Sequence, residues 1–163
     1  MKQLAFLSST LLLLSLTCNA QLQGKVISVA DGDTFTLLTS DFEQVRIRLY
    51  GIDCPEYKQD YGNVARKFTN SMIYGKYVYI ESKGKDKYER TLGIVYNIPD
   101  KKILNEELLK AGLAWHYSFY DNNQQWQAME NVARQNKIGL WSRGDAMPPW
   151  VFRRYEQRKL FLY

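Results

Sequence analysis

The chain has 163 residues and carries 22 Lys and Arg against 17 Asp and Glu, a formal charge of +5. That length suits one domain with a real core, and the mild basic surplus is compatible with a polyanionic partner without demanding one. Two cysteines, Cys18 and Cys54, and a single histidine, His116, argue against a disulfide framework, zinc chemistry and a Ser-His triad.

Residues 1–20 read as a secretory signal. Lys2 precedes an apolar run from Leu4 to Leu16, and Cys18-Asn19-Ala20 offers small residues for cleavage after Ala20. The run is too short to span a bilayer, and no later segment is apolar enough to do so. Lipidation at Cys18 is the weaker alternative, because Leu16 and Thr17 stand where smaller residues are usual. A secreted or periplasmic monomer without membrane insertion is expected.

Three strands come next. Lys25 to Ala30 carries Val26, Ile27 and Val29; Thr34 to Thr39 is β-branched and apolar; Gln44 to Ile52 alternates, with Val45, Ile47 and Leu49 on one face and Arg46, Arg48 and Tyr50 on the other. Asp31-Gly32 reads as a hairpin turn between the first two runs. A helix fits Tyr61 to Tyr74, with Val64, Ala65, Phe68 and Met72 as its stripe and Gly75 as its stop. Lys76 to Ser82 and Thr91 to Tyr96 are strand-like, separated by a polar loop, Lys83 to Glu89. Asn105-Glu106-Glu107 looks like a capped helix start, with Leu108, Leu109 and Ala111 buried and Gly112 as terminus. A last helix spans Asn123 to Asn136, with Trp126, Met129, Val132 and Ala133 as its apolar stripe, and Gly139 and Trp141 close it.

Five strands with a helix after the third is the order of an OB-type barrel, a frequent nucleic-acid platform. The expected fold is therefore α+β, a five-stranded barrel with about three helices, occupying residues 21–143. The basic extension, residues 144–163, holds Pro148-Pro149-Trp150 and then Arg153, Arg154, Arg158 and Lys159. It reads as a tail packed by Trp150 and Phe152, or frayed, rather than a binding arm.

Two acidic clusters frame the arginine-bearing strand: Asp31-Gly32-Asp33-Thr34 before it and Asp53-Cys54-Pro55-Glu56 after it. Alone, the first is more simply a turn; as an EF-hand loop it fails, with Phe35 and Phe42 where oxygen donors are needed. Asp53 and Glu56, three residues apart past a strand, shift the balance toward a hard cation with water completing its shell. Cys54 has no second thiol and no suitable His beside it, and His116 reads as part of an aromatic cluster with Trp115 and Tyr117. Arg48 and Arg90 supply guanidiniums for a phosphate and its transition state. Lacking a usable histidine, a carboxylate such as Glu56 must orient or deprotonate water.

Five blocks in register carry a resemblance. They are Val29-Ala30-Asp31-Gly32-Asp33-Thr34, the run Arg48 to Glu56, Asp86-Lys87-Tyr88-Glu89-Arg90, the run Asn105 to Ala114, and Gly139-Leu140-Trp141. Together they resemble the staphylococcal (micrococcal) nuclease, or thermonuclease-like, family over residues 24–142. The resemblance implies an OB-fold enzyme that hydrolyses DNA and RNA with one calcium ion and leaves 3′-phosphate ends. Asp33, Asp53 and the backbone carbonyl of Cys54 would be protein ligands of the ion. Glu56 would act on the attacking water, Arg48 and Arg90 would clamp the phosphate, and Lys87 and Tyr88 would contact a neighbouring phosphate. Tyr117 and Tyr120 are candidate stacking residues. One departure is Glu89, which stands where the family often has Gly before the second arginine. A non-catalytic OB-type nucleic-acid-binding module is the alternative, opposed by retention of Asp33, Asp53, Glu56, Arg48 and Arg90. An exported structural or adhesive protein would leave the spaced charge set unexplained.

Overall fold

The structure is a computed structural model and describes residues 22–160; the signal segment expected over residues 1–20 lies outside the described residues. Strands β1 (Leu22–Val29), β2 (Thr34–Leu38) and β3 (Gln44–Leu49) form an antiparallel meander. After a short strand β4 (Ile52–Asp53) and helix α1 (Gly62–Ile73), strands β5 (Tyr77–Lys85) and β6 (Thr91–Asn97) return antiparallel, β5 pairing with β1. The barrel closes where β3 and β6 run parallel, Arg48 opposite Leu92. Period-two burial explains the wall: Val26, Phe35, Leu37, Ile47, Leu49, Val78, Ile80 and Val95 point inward, all buried.

Strand β5 outlasts its sequence signal because Lys85 still pairs with Thr91 beyond a bulge. A further short strand, β7 (Lys102–Ile103), pairs with β6, and another, β8 (Trp115–His116), pairs antiparallel with β4. The remaining helices are α2 (Leu104–Lys110), α3 (Gln124–Gln135) and α4 (Pro149–Leu160), with a 3₁₀ turn at Gly139–Ser142. Among the described residues four α-helices therefore stand where about three were expected, the additional one, α4, lying within the extension.

Three details correct the sequence reading. Val64 and Val132 are exposed, at 50% and 54%, because Thr69 and Ile73 of α1 and Glu130 of α3 take the inward positions instead. Asn105 does not cap α2: the capping position is Ile103, which provides no side-chain bond. The Asn105 side chain is instead buried, accepting from the Val95 amide at 3.0 Å and donating to the Tyr50 carbonyl at 2.9 Å. It thereby ties α2 to the barrel behind β3. Asn123, by contrast, caps α3 as its position suggests, accepting from the Gln125 and Trp126 amides.

Candidate active site

The turn between β1 and β2 is built to present Asp33. Asp31 Oδ1 accepts from the Asp33 amide at 3.1 Å, and the Ala30 amide donates to the Thr34 carbonyl at 2.9 Å. From outside, Thr69 on α1 donates to the Gly32 carbonyl at 2.6 Å. Gly32 itself leaves no room for a side chain: a Cβ there would stand 2.7 Å from the Cys54 Cβ and 2.8 Å from the Ala65 Cβ. That close approach lets the β4 segment lie against the turn. The Cys54 amide then donates to Asp33 Oδ2 at 2.7 Å.

Asp33 and Asp53 are each only 1% exposed. Arg48 donates one terminal nitrogen to Asp33 Oδ1 and the other to Asp53 Oδ1, joining carboxylates from two separate segments on one guanidinium. Its backbone is held on both sides, by Thr34 of β2 and Leu92 of β6. Burial pushes the Asp33 carboxyl well above the usual carboxylate range, and Arg48 only partly opposes this. For Arg48 burial acts downward, and Asp33 and Asp53 more than reverse it, so the guanidinium stays charged.

A second guanidinium arrives from α4. Arg153 donates to Asp53 Oδ2 at 2.7 Å, to Asp53 Oδ1 at 3.2 Å and to Glu56 Oε1 at 2.7 Å. Burial lowers its pKa, but the bonds to Asp53 and then Glu56 outweigh that and hold it charged. Asp53 is therefore shared between two forks, Arg48 on the barrel side and Arg153 on the helix side. Glu56 is fixed locally too, its amide donating to Gln59 Oε1 at 2.9 Å. Nothing in local sequence pattern flags Arg153, whose partners lie 97 and 100 residues away.

Arg90 enters at the edge of β6. Its Nε donates to Asp86 Oδ2 at 2.7 Å, and one terminal nitrogen reaches Thr34 Oγ1 at 3.5 Å; that hydroxyl donates to Asp33 Oδ1 at 3.2 Å. Arg48 thus lies between the carboxylates, while Arg90 stands one hydroxyl away from them. Asp86 also accepts from the Tyr88 and Arg90 amides, at 2.8 and 3.0 Å, so it shapes the turn as well as orienting the arginine. The Asp-x-x-x-Arg spacing was the available signal for this role. Lys87 and Arg90 flank the exposed Tyr88 ring, at 5.0 and 5.5 Å from its centroid. Glu89 has a left-handed backbone (φ 60°) and turns outward to Lys85 at 3.1 Å, away from Arg90.

Tyr117 and the exposed Tyr120 have ring centroids 5.1 Å apart, and Tyr117 is also 5.1 Å from Trp150 of α4. His116 is structural. Both ring nitrogens are engaged, with Gln127 and Asp121 at 3.0 Å each, and its amide donates to buried Glu130 at 2.8 Å. This pins β8, and through it β4 and Asp53, to α3.

The donor types suit a hard divalent cation: two buried carboxylates and a third at Glu56, all oxygen. Among the described residues no three His, Cys, Asp or Glu side chains converge as a ready-made cage, so water would complete any shell.

Comparison with known proteins agrees with this architecture. Residues 46–143 match the family described as staphylococcal nuclease homologue. A protein of Escherichia coli O157:H7 named "Uncharacterized endonuclease" is 42% identical over 134 residues, covering 82% of this chain and 86% of that protein. The "Micrococcal nuclease" of Shigella flexneri is 33% identical over 159 residues, covering 92% and 91%. "Protein ParB" of Escherichia coli is 35% identical over 144 residues, covering 83% and 81%. With a closed five-stranded barrel and the acidic and arginine blocks in register, the chain belongs to the staphylococcal nuclease family and is a nuclease, a phosphodiester hydrolase.

Proposed function

We propose that the mature protein is a secreted or periplasmic, monomeric, calcium-dependent endonuclease. It cuts DNA and RNA with little sequence preference and leaves 3′-phosphate ends. The observation that carries this reading is the meeting of Asp33 and Asp53, from different segments, on one buried guanidinium. Buried carboxylates that converge in this way form a site for positive charge.

Asp33, Asp53 and the Cys54 carbonyl would hold the ion, which when bound supplies a fixed charge against the phosphate oxygens. The chain's own groups do the rest. Glu56, at the rim of the cluster, orients or deprotonates the attacking water. Arg48 and Arg90 stabilise the charge that develops on the equatorial phosphoryl oxygens, because their backbones are fixed before substrate arrives. Lys87 and Tyr88, with Tyr117 and Tyr120, guide the strand by charge and by stacking, neither of which reads sequence. Among the described residues no helix is long and apolar enough to cross a membrane.

The deciding experiment is incubation of purified protein with single-stranded DNA and with RNA, in calcium and in chelator, followed by end analysis. Calcium-dependent cleavage to 3′-phosphates is expected. Binding of both polymers without any cleavage would select the OB-type binding module instead.

A further inference from the structure

We propose that Arg153 is a substrate-binding residue of this active centre: a guanidinium, delivered by α4, that takes a non-bridging oxygen of the nucleic-acid backbone. The inference rests on the nuclease reading above and adds a residue from outside the matched segment, residues 46–143.

Arg153 and Arg48 stand in the same relation to the carboxylates. Each guanidinium forks over two acids, Arg48 over Asp33 and Asp53, Arg153 over Asp53 and Glu56. When those carboxylates turn to a cation and to water, both forks lose their partners together. Two guanidiniums left unpaired beside a buried centre have one complementary ligand in a nucleic acid, the anionic phosphodiester.

A latch that lifts off to admit substrate is the competing idea, and the packing argues against it. The base of α4 is fastened to the strand pair that carries Asp53. Trp150 packs edge-on against Trp115 at 5.8 Å and at a tilt against Tyr117 at 5.1 Å. Trp115 is in turn the backbone partner of Asp53 in the β4–β8 ladder. Arg153 follows Trp150 by one helical turn and so projects from the same face. The backbone is fixed, while the arginine side chain remains 40% exposed. A pivot of the side chain alone therefore moves the guanidinium between carboxylate and phosphate. An open cleft of about 430 Å³ beside it, with Lys58 and Phe152 as well as the carboxylates Glu56 and Glu156 in its lining, gives the side chain room to pivot.

The test compares full-length wild type, Arg153→Gln, Arg153→Lys and Arg154→Gln. Arg154→Gln removes the same charge from an exposed position on the same helix. Binding of a fluorescein-labelled, cleavage-resistant phosphorothioate oligonucleotide is followed by anisotropy in calcium across a salt series. Calcium affinity is measured by calorimetry, and turnover on single-stranded DNA in parallel. Arg153→Gln is expected to bind the probe about tenfold more weakly, with the salt slope reduced by about 0.7, the signature of one lost phosphate contact on a single strand. Arg153→Lys should recover part of the affinity, and Arg154→Gln should leave the slope near wild type. Tighter calcium binding and faster cleavage by Arg153→Gln would overturn the proposal in favour of a latch. A slope equal to that of Arg154→Gln would also overturn it and leave only a packing role. Wild-type protein that fails to cleave removes the calcium-nuclease reading, while the binding arm still judges Arg153.

Discussion

Asp53 and Trp115 face each other across the two-stranded ladder of β4 and β8, and the Trp115 ring receives Trp150 from α4. The carboxylate and the anchor of the C-terminal helix are therefore fixed by one backbone pair. Trp150→Ala should loosen α4 while the barrel stays intact. Amide hydrogen exchange over residues 149–160 should quicken by about thirtyfold, the equivalent of about 2 kcal/mol for a partly buried aromatic anchor. Unchanged exchange there would show that the helix is held by something else.

Arg48 bridges two buried acids, so its loss has two separable effects. In chelator, Arg48→Gln should lose about 3 kcal/mol, because it leaves buried carboxylates short of a partner. Calcium should then raise its melting temperature by more than it raises that of wild type, as binding linkage requires. In calcium, Arg48→Gln and Arg90→Gln should each lower turnover by about 10³, with smaller effects on oligonucleotide binding. Near-normal turnover in either variant would remove that arginine from the mechanism.

Asp86 is a positioning residue for Arg90. Asp86→Asn should lower turnover by about tenfold through misplacement of the arginine. Burial raises the Asp86 pKa, and the bonds from Arg90 and the Tyr88 amide outweigh it, leaving the carboxyl below its usual range. A depressed folded-state value contributes stability that is complete above the unfolded pKa of ~3.9 and is lost as pH falls through the folded one. Wild type should therefore exceed Asp86→Asn in melting temperature by a constant margin from about pH 8 to about pH 5. The two should converge below about pH 3.9. A margin that shrinks near neutrality would contradict this.

Glu89 adopts a left-handed backbone at the position following Tyr88. Glu89→Gly relieves a conformation that costs an L-residue about 1–2 kcal/mol, and the greater freedom of glycine in the unfolded chain offsets part of that gain. A net stabilisation of about 0.5 kcal/mol is expected by denaturant titration. Because the Glu89 carboxylate turns to Lys85, removing it should change turnover less than twofold, far less than Asp86→Asn. A large rise in activity would mean that the charge acts on Arg90 after all.

The barrel was legible because its strands alternate and its turns are marked: Val45, Ile47 and Leu49 face inward as the pattern requires, and Asp31-Gly32 turns the chain. Asp33, Arg48 and Asp53 stood out in the sequence, but their meeting depended on neighbours no local pattern sets: the first and third strands do not pair, β2 lies between them, and Asp53 is held in a two-residue strand by β8. Helix faces were less legible. Val64 and Val132 fit a stripe but face water, because the helices bury only a narrow edge containing Thr69 and Glu130. Asn105 sits where a cap belongs, yet it satisfies buried backbone groups of β6 and of the segment after β3. Arg153 was hidden for a different reason. One basic residue among Arg154, Arg158 and Lys159 looks like solvated charge until packing reveals which one turns inward.

The fit of Gly32 over Cys54 also makes this buried thiol a clock. Its sulfur lies in the interior, within 2.9 Å of where a Gly32 Cβ would stand, and burial pushes its pKa far up. Iodoacetamide therefore finds it only when β4 parts from the turn. Each alkylation event at Cys54, read by peptide mapping, records an opening of the catalytic wall.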